Sequence, residues 1–137
     1  FQDRVDLIVH LAKIMVIHAE EFINEADIII PVPMHKKKLI ERLYNQSALL
    51  SKNLSKATNI PVILDGLRKI KHTIPQMKLK KKDRIKNLKR AFKVNEKYQT
   101  FLKDKIVLLI DDVITTGTTI NECAKILKEN GVKTVLV

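Results

Sequence analysis

Val107-Leu-Leu-Ile-Asp-Asp-Val-Ile-Thr-Thr-Gly-Thr-Thr119 is the stretch that decides how this chain folds and what it can hold. It overlaps Ile106-Val-Leu-Leu-Ile110, five apolar residues rich in β-branching with polar flanks, which reads as a strand buried on both faces. Two carboxylates, Asp111 and Asp112, stand at the strand's end. Thr115, Thr116, Thr118 and Thr119 then surround Gly117. A helix is expected over Thr119 to Asn130, with Ile120, Cys123, Ala124 and Leu127 on one stripe and Gly131 closing it. Glycine in such a strand-to-helix loop permits a positive φ or a close backbone approach, and the amides of a first helical turn lack intrahelical acceptors. With the threonine hydroxyls they can surround a phosphate without a lysine. The acid pair would repel that phosphate at contact distance, so it is expected to face sugar hydroxyls or a hydrated divalent cation nearby. A phosphorylated ribose suits both halves. The competing reading makes Thr119-Ile-Asn-Glu122 a capping box and the acids ordinary strand-end residues.

Working outward, the same alternation recurs. Ile8, Leu11, Ala12, Met15, Ala19, Phe22 and Ile23 step at helical intervals and predict one helix with a wide buried face, ending near Asn24. Asp27-Ile-Ile-Ile-Pro-Val-Pro33 predicts a buried strand emptying into a loop. Helical spacing returns from Leu39 to about Thr58, and Val62-Ile-Leu64 is a strand stopped by Asp65-Gly66. Ala91 to Val94 reads as a short return strand, and Val132 to Val137 begins another. Helices and strands in this order predict an α/β fold, a mostly parallel sheet flanked by helices, in which ligands gather at the carboxyl ends of the strands.

Charge is unevenly spread. The net charge is +11, yet the 23 positions from Arg68 to Arg90 hold eleven basic residues against the single acid Asp83, a local +10. Such a segment suits a polyanion, whether nucleic acid, an acidic partner or a phosphorylated small molecule; the plain alternative is a solvated loop. With Pro75 and little apolar periodicity it reads as a long loop or hairpin, about residues 68–100.

The 137 residues, 45% apolar and 30% charged, fit one compact domain spanning 1–137. Because the chain starts at Phe1 and stops within an expected strand at Val137, a piece of a longer protein is expected. One cysteine leaves no intrachain disulfide and no cysteine-based zinc cage; on the apolar stripe of its helix, Cys123 reads as core rather than nucleophile. Leu7 to Ile17 is interrupted by His10 and Lys13 and is too short to span a bilayer, and the start lacks a signal-peptide pattern, so no membrane span and a cytoplasmic location are expected. Glycines at 66, 117 and 131 satisfy neither GxGxxG nor GxxxxGK.

The thirteen residues quoted first resemble the phosphoribosyl pyrophosphate (PRPP) binding motif of type I phosphoribosyltransferases. Ile30-Pro-Val-Pro-Met-His-Lys-Lys-Lys-Leu-Ile-Glu-Arg-Leu-Tyr-Asn-Gln46, Thr73-Ile-Pro-Gln76 and Arg84-Ile-Lys-Asn-Leu-Lys-Arg-Ala-Phe92 narrow the resemblance to the competence-associated ComF family. Leu43 stands where that family commonly has glycine. The resemblance implies a type I phosphoribosyltransferase-like fold with a flexible basic hood, and transfer of a phosphoribosyl group to an acceptor with release of pyrophosphate. It assigns the ribose hydroxyls to Asp111 and Asp112, as the catalytic pair, and the 5-phosphate to the loop Thr115, Thr116, Gly117, Thr118 and Thr119. The pyrophosphate goes to the loop from Val32, with Met34, His35, Lys36 and Lys37, and Lys80, Lys81, Arg84 and Arg90 belong to the hood. Mg2+ is the implied cofactor, carried mainly by the substrate. PRPP or a phosphorylated ribose is the implied partner, with single-stranded DNA and a second copy of the chain as further candidates. A non-catalytic DNA-binding accessory of DNA uptake is the rival function.

Overall fold

The structure, a computed structural model, describes residues 2–42, 44–71, 73 and 80–137. In chain order the elements are α1 (Gln2–His18), α2 (Glu20–Glu25), β1 (Ile28–Pro31), α3 (Lys36–Arg42), α4 (Gln46–Thr58), β2 (Leu67–Lys69), α5 (Lys81–Leu88), β3 (Phe92–Val94), a 3-10 turn at Glu96–Tyr98, α6 (Gln99–Leu102), β4 (Ile106–Ile110), α7 (Thr118–Glu129) and β5 (Thr134–Leu136).

β1 and β4 pair in parallel, with Ile28 opposite Val107 and Pro31 opposite Ile110, and β5 pairs in parallel with the other edge of β4. Side chains of successive strand residues alternate between faces, so this register sorts the apolar residues into two layers. Ile29, Leu108 and Ile110 pack with Ile8 and Ala12 of α1 and Leu50 and Leu54 of α4. Ile28, Ile30, Val107 and Leu109 face the other way, against Ile120, Cys123 and Leu127 of α7 and Leu88, Phe92 and Val94 from the basic segment. Burial on both faces explains why β1 and β4 carry unbroken apolar runs.

Several expectations shift. Val62-Ile-Leu64 contributes one parallel bridge, Val62 with Ile29, because the chain turns immediately at Leu64 and Asp65. Ile29 donates to Pro61 and accepts from Ile63 on this edge. By the two-residue period Pro31 lies on the same edge beyond the bridge, where its missing N–H forfeits no ladder bond. The first helix divides at Ala19 into α1 and α2, with Leu11 and Phe22 exposed rather than on the buried face. The expected helix from Leu39 to Thr58 divides into α3 and α4, since Asn45 is extended and caps α4 by accepting from the amides of Ser47 and Ala48.

Of the two forms expected for the basic segment, the hairpin is the one found, with a helix added. β2 and β3 form an antiparallel hairpin, Leu67 opposite Val94, and α5 stands between them with Leu88 fully buried. Residues 72 and 74–79, including Pro75 and Lys78, lie outside the described residues. Among the described residues no helix is long and apolar enough to cross a membrane. Leu54 joins α4 to the sheet in a fully buried position. Its replacement, Leu54→Ala, is expected to destabilise the fold by about 3 kcal/mol. Urea unfolding checks this, and a loss under about 1 kcal/mol would contradict the described packing.

Candidate functional site

Parallel pairing of β1 and β4 sets their carboxyl ends side by side, so the loop after each opens at the same edge of the sheet. Val32 N–H donates to the carbonyl of Ile110 at 2.8 Å, which carries the pairing one step past β1. Asn45 fastens α4 to this edge, its Nδ2 donating to the carbonyl of Val32 at 3.1 Å while its Oδ1 caps the helix. One amide thus fixes both the loop after β1 and the start of α4.

That start places Ser47, 2% exposed, beneath the acid pair. Its Oγ lies 3.1 Å from Asp111 Oδ1 and 3.1 Å from Asp112 Oδ1, and the Asp112 amide donates to Asp111 Oδ1 at 3.0 Å. A hydroxyl has one proton, so it bonds the two carboxylates alternately. Ser47 and the Asp112 amide engage the Oδ1 atoms, and the two carboxyl groups also hydrogen-bond each other when Asp111 carries its proton. Asp111 is half-buried and Asp112 exposed. Burial foremost, and then the hydrogen bond and negative charge of Asp112, push Asp111 up from its ordinary 3.8 to about 6, against the pull of the Ser47 and backbone hydrogen bonds.

Beyond the acids, residues 113–117 form an open loop. Gly117 has φ +71, and a Cβ there would meet nothing nearer than Asn121 Nδ2 at 3.9 Å, so the glycine is required by backbone conformation rather than by space. α7 begins at Thr118 with Gly117 as its N-cap and no side-chain cap, which removes the capping-box reading of Thr119 and Glu122. Asp111, Thr115, Thr116, Gly117, Thr118 and Thr119, with Val113, Ile114 and Ile120, line a shallow open concavity. Thr116 Oγ1 and Thr118 Oγ1 lie 2.9 Å apart. Asp112 and Val113 also border an apolar hollow between α1 and α4, lined by Leu7, Ile8, Leu11, Gln46 and Leu50.

Other expected site residues differ in placement. Met34 and His35 are half-buried in the loop after β1, where the Lys37 amide donates to His35 Nδ1 at 3.3 Å; Lys36 and Lys37 are exposed and open α3 rather than extending the loop. Lys80 is exposed just before α5, and Arg90 is exposed at φ +56 in the turn after it. Lys81 and Arg84 fall on α5, and their side chains lie outside the described residues. The described lining of the concavity holds no basic side chain. Cys123 is fully buried, and burial holds its thiol well above the ordinary range, as expected of a core residue. Ser47 and Asn45 were not singled out from the sequence. Asn45 lies within the Ile30–Gln46 block, and the only signal for Ser47 is its place just after it.

The Phosphoribosyl transferase domain family matches residues 7–137. Competence protein F of Haemophilus influenzae is 42% identical over 109 residues, 80% of this chain and 47% of that protein. Competence protein ComFC of Bacillus subtilis strain 168 is 30% identical over 104 residues, 76% and 39% of the two chains, and DNA utilization protein YhgH of Escherichia coli K12 is 32% identical over 111 residues, 81% and 47%. The chain spans about half the length, or somewhat less, of these curated relatives. A solved structure, glutamine phosphoribosylpyrophosphate amidotransferase from B. subtilis complexed with ADP and GMP, matches with TM-score 0.57 at 22% identity, covering 96% of this chain and 24% of that one. That likeness bears on the fold alone.

Asp111's elevation has a stability consequence. The native state holds this proton more tightly than the unfolded chain, so the contribution is fully present below about 3.8 and is lost as pH rises through about 6. Asp111→Asn is therefore expected to gain stability relative to the parent between pH 4 and pH 7. Thermal unfolding at both pH values tests this; a constant difference contradicts the elevated proton affinity.

Proposed function

Because this chain belongs to the phosphoribosyl transferase domain family, as a member of its ComF group of competence proteins, we propose that it binds PRPP and transfers the phosphoribosyl group to an acceptor with release of pyrophosphate. The observation that carries this reading is the acid pair, bridged by Ser47 at 3.1 Å to each carboxylate, standing beside a concavity walled by threonines and the first turn of α7. Acceptors for sugar hydroxyls thus adjoin donors for a phosphate. The residues of 115–119 take the 5-phosphate through backbone amides and hydroxyls. Asp111 and Asp112 take the ribose hydroxyls. The loop from Val32 to His35, with Lys36 and Lys37 at its end, meets the pyrophosphate, and the apolar hollow on the Asp112 side leaves room for an acceptor.

Among the described residues no cluster of three or more histidine, cysteine or carboxylate side chains could hold a metal. A Mg2+ ion would come with the pyrophosphate of the substrate, because it dehydrates reluctantly and holds phosphate oxygens and water rather than a protein cage. When bound there, it neutralises charge on the departing group. The chain's own residues do the rest by position. Loss of pyrophosphate leaves positive charge on the ribose ring, and carboxylates fixed near that ring stabilise it without forming a covalent bond. Each such preorganised contact is worth roughly 3 kcal/mol in rate. The basic segment acts as a hood whose closure excludes water.

A second reading rests on the concentration of charge. Arg68, Lys71, Lys80, Lys82, Lys86, Lys89 and Arg90 are all exposed on one segment, and the relatives are named for competence and DNA utilization. A non-catalytic accessory would hold single-stranded DNA there, mainly by electrostatics. Its affinity would fall with salt with a log–log slope of about −0.7 per neutralised phosphate.

Calorimetry with PRPP and Mg2+ separates the two. The transferase reading expects binding that Asp112→Asn weakens at least about tenfold, the loss of a charged hydrogen-bond acceptor, without a fall in melting temperature. Pyrophosphate release across a panel of bases then identifies the acceptor. Salt-sensitive DNA binding with no response to PRPP overturns the transferase reading in favour of the accessory.

A further inference from the structure

The acid pair is held by a residue that belongs to neither loop expected to carry the chemistry. Ser47 comes from the first turn of α4, 64 and 65 positions away in sequence from the aspartates it bonds. It is 2% exposed, so its hydroxyl has no bulk water to turn to, and its only acceptors among the described residues are the two Oδ1 atoms. Two adjacent carboxylates repel and would rotate apart if nothing held them. A buried donor within 3.1 Å of one oxygen of each opposes that rotation. Asn45 makes the donor stationary by capping α4 and tying it to Val32, and the Asp112 amide fixes Asp111 Oδ1 from the other side.

We propose that Ser47 is the positioning residue for sugar recognition: it engages the Oδ1 atom of each aspartate, leaving the two Oδ2 atoms as a fixed pair of acceptors matched to a vicinal diol. The ligand class this selects is a phosphorylated ribose carrying both the 2- and 3-hydroxyls, as against a 2-deoxyribose phosphate that fills only one acceptor. A buried or half-buried charged acceptor left unpaired is costly, and this is how a site built to accept from a hydroxyl rejects an analogue lacking it. The inference rests on the functional reading above for its ligand, though the positioning itself is a property of the chain without ligand.

The experiment uses ribose 5-phosphate and 2-deoxyribose 5-phosphate as probes against the parent chain, Ser47→Ala and Ser47→Thr, with the carboxyl titration of Asp111 followed by NMR in each unliganded protein. The parent is expected to prefer the ribose ligand by about tenfold. Ser47→Ala should bring that preference close to unity while retaining binding through the phosphate, and should move the Asp111 midpoint upward from about 6 because a hydrogen bond that favours its ionised form is gone. Ser47→Thr, which keeps the hydroxyl, should restore both. A role confined to helix packing would lower the melting temperature and leave the preference and the midpoint unmoved, and that result overturns the proposal. Should the parent bind neither sugar, the functional reading falls, and the unliganded titration still decides: an unshifted midpoint in Ser47→Ala overturns the positioning role, whereas an upward shift reversed by threonine upholds it.

Discussion

Parallel pairing of β1 with β4 is the constraint on which the rest of the molecule depends. A slip of β1 by one residue would turn Ile28 and Ile30 from the α7 layer to the α4 layer and Ile29 the other way, so that both cores would be disrupted together. The same register, Pro31 opposite Ile110, brings the loop after β1 to the acid pair after β4. Fold and candidate site are thus one decision. The bond from Val32 to Ile110, and that from Asn45 to Val32, carry the order of the sheet outward into loops that would otherwise be free to diverge.

The acid pair illustrates the tension between a stable fold and a poised site. Asp111 is half-buried beside a second carboxylate, an arrangement that an isolated domain would avoid and that raises its proton affinity. Among the described residues no lysine or arginine pairs with it; one hydroxyl and one backbone amide do. The consequence is a pair of carboxylates with acceptor capacity to spare, next to a threonine-lined hollow. A site that accepts from neutral hydroxyls gains from this, whereas a structural ion pair would have filled the same oxygens.

Much of this was legible along the chain because it is written in short, strongly patterned stretches. Ile106 to Ile110 announces a two-sided strand, and the acids, threonines and glycine that follow announce a strand-to-helix loop; the positive φ at Gly117 and at Gly131 agrees with what those glycines were expected to supply. What escaped the sequence depends on long-range or compensating effects. The helix break at Asn45 was hidden because Leu39, Leu43, Leu50 and Leu54 keep nearly helical spacing across it. α5 was hidden because its residues are mostly charged and only Leu88 among its described side chains reaches the core. Ser47 was invisible because a lone serine in a first helical turn is ordinary, and only the fold carries it across 64 positions to the aspartates.

The most direct test of the account is a crystal structure of the protein with ribose 5-phosphate. The account predicts phosphate oxygens within hydrogen-bond distance of the backbone amides in residues 115–119 and both ring hydroxyls on the carboxylates of Asp111 and Asp112. A phosphate bound instead among the cations of the basic segment, with the acid pair untouched, would contradict it.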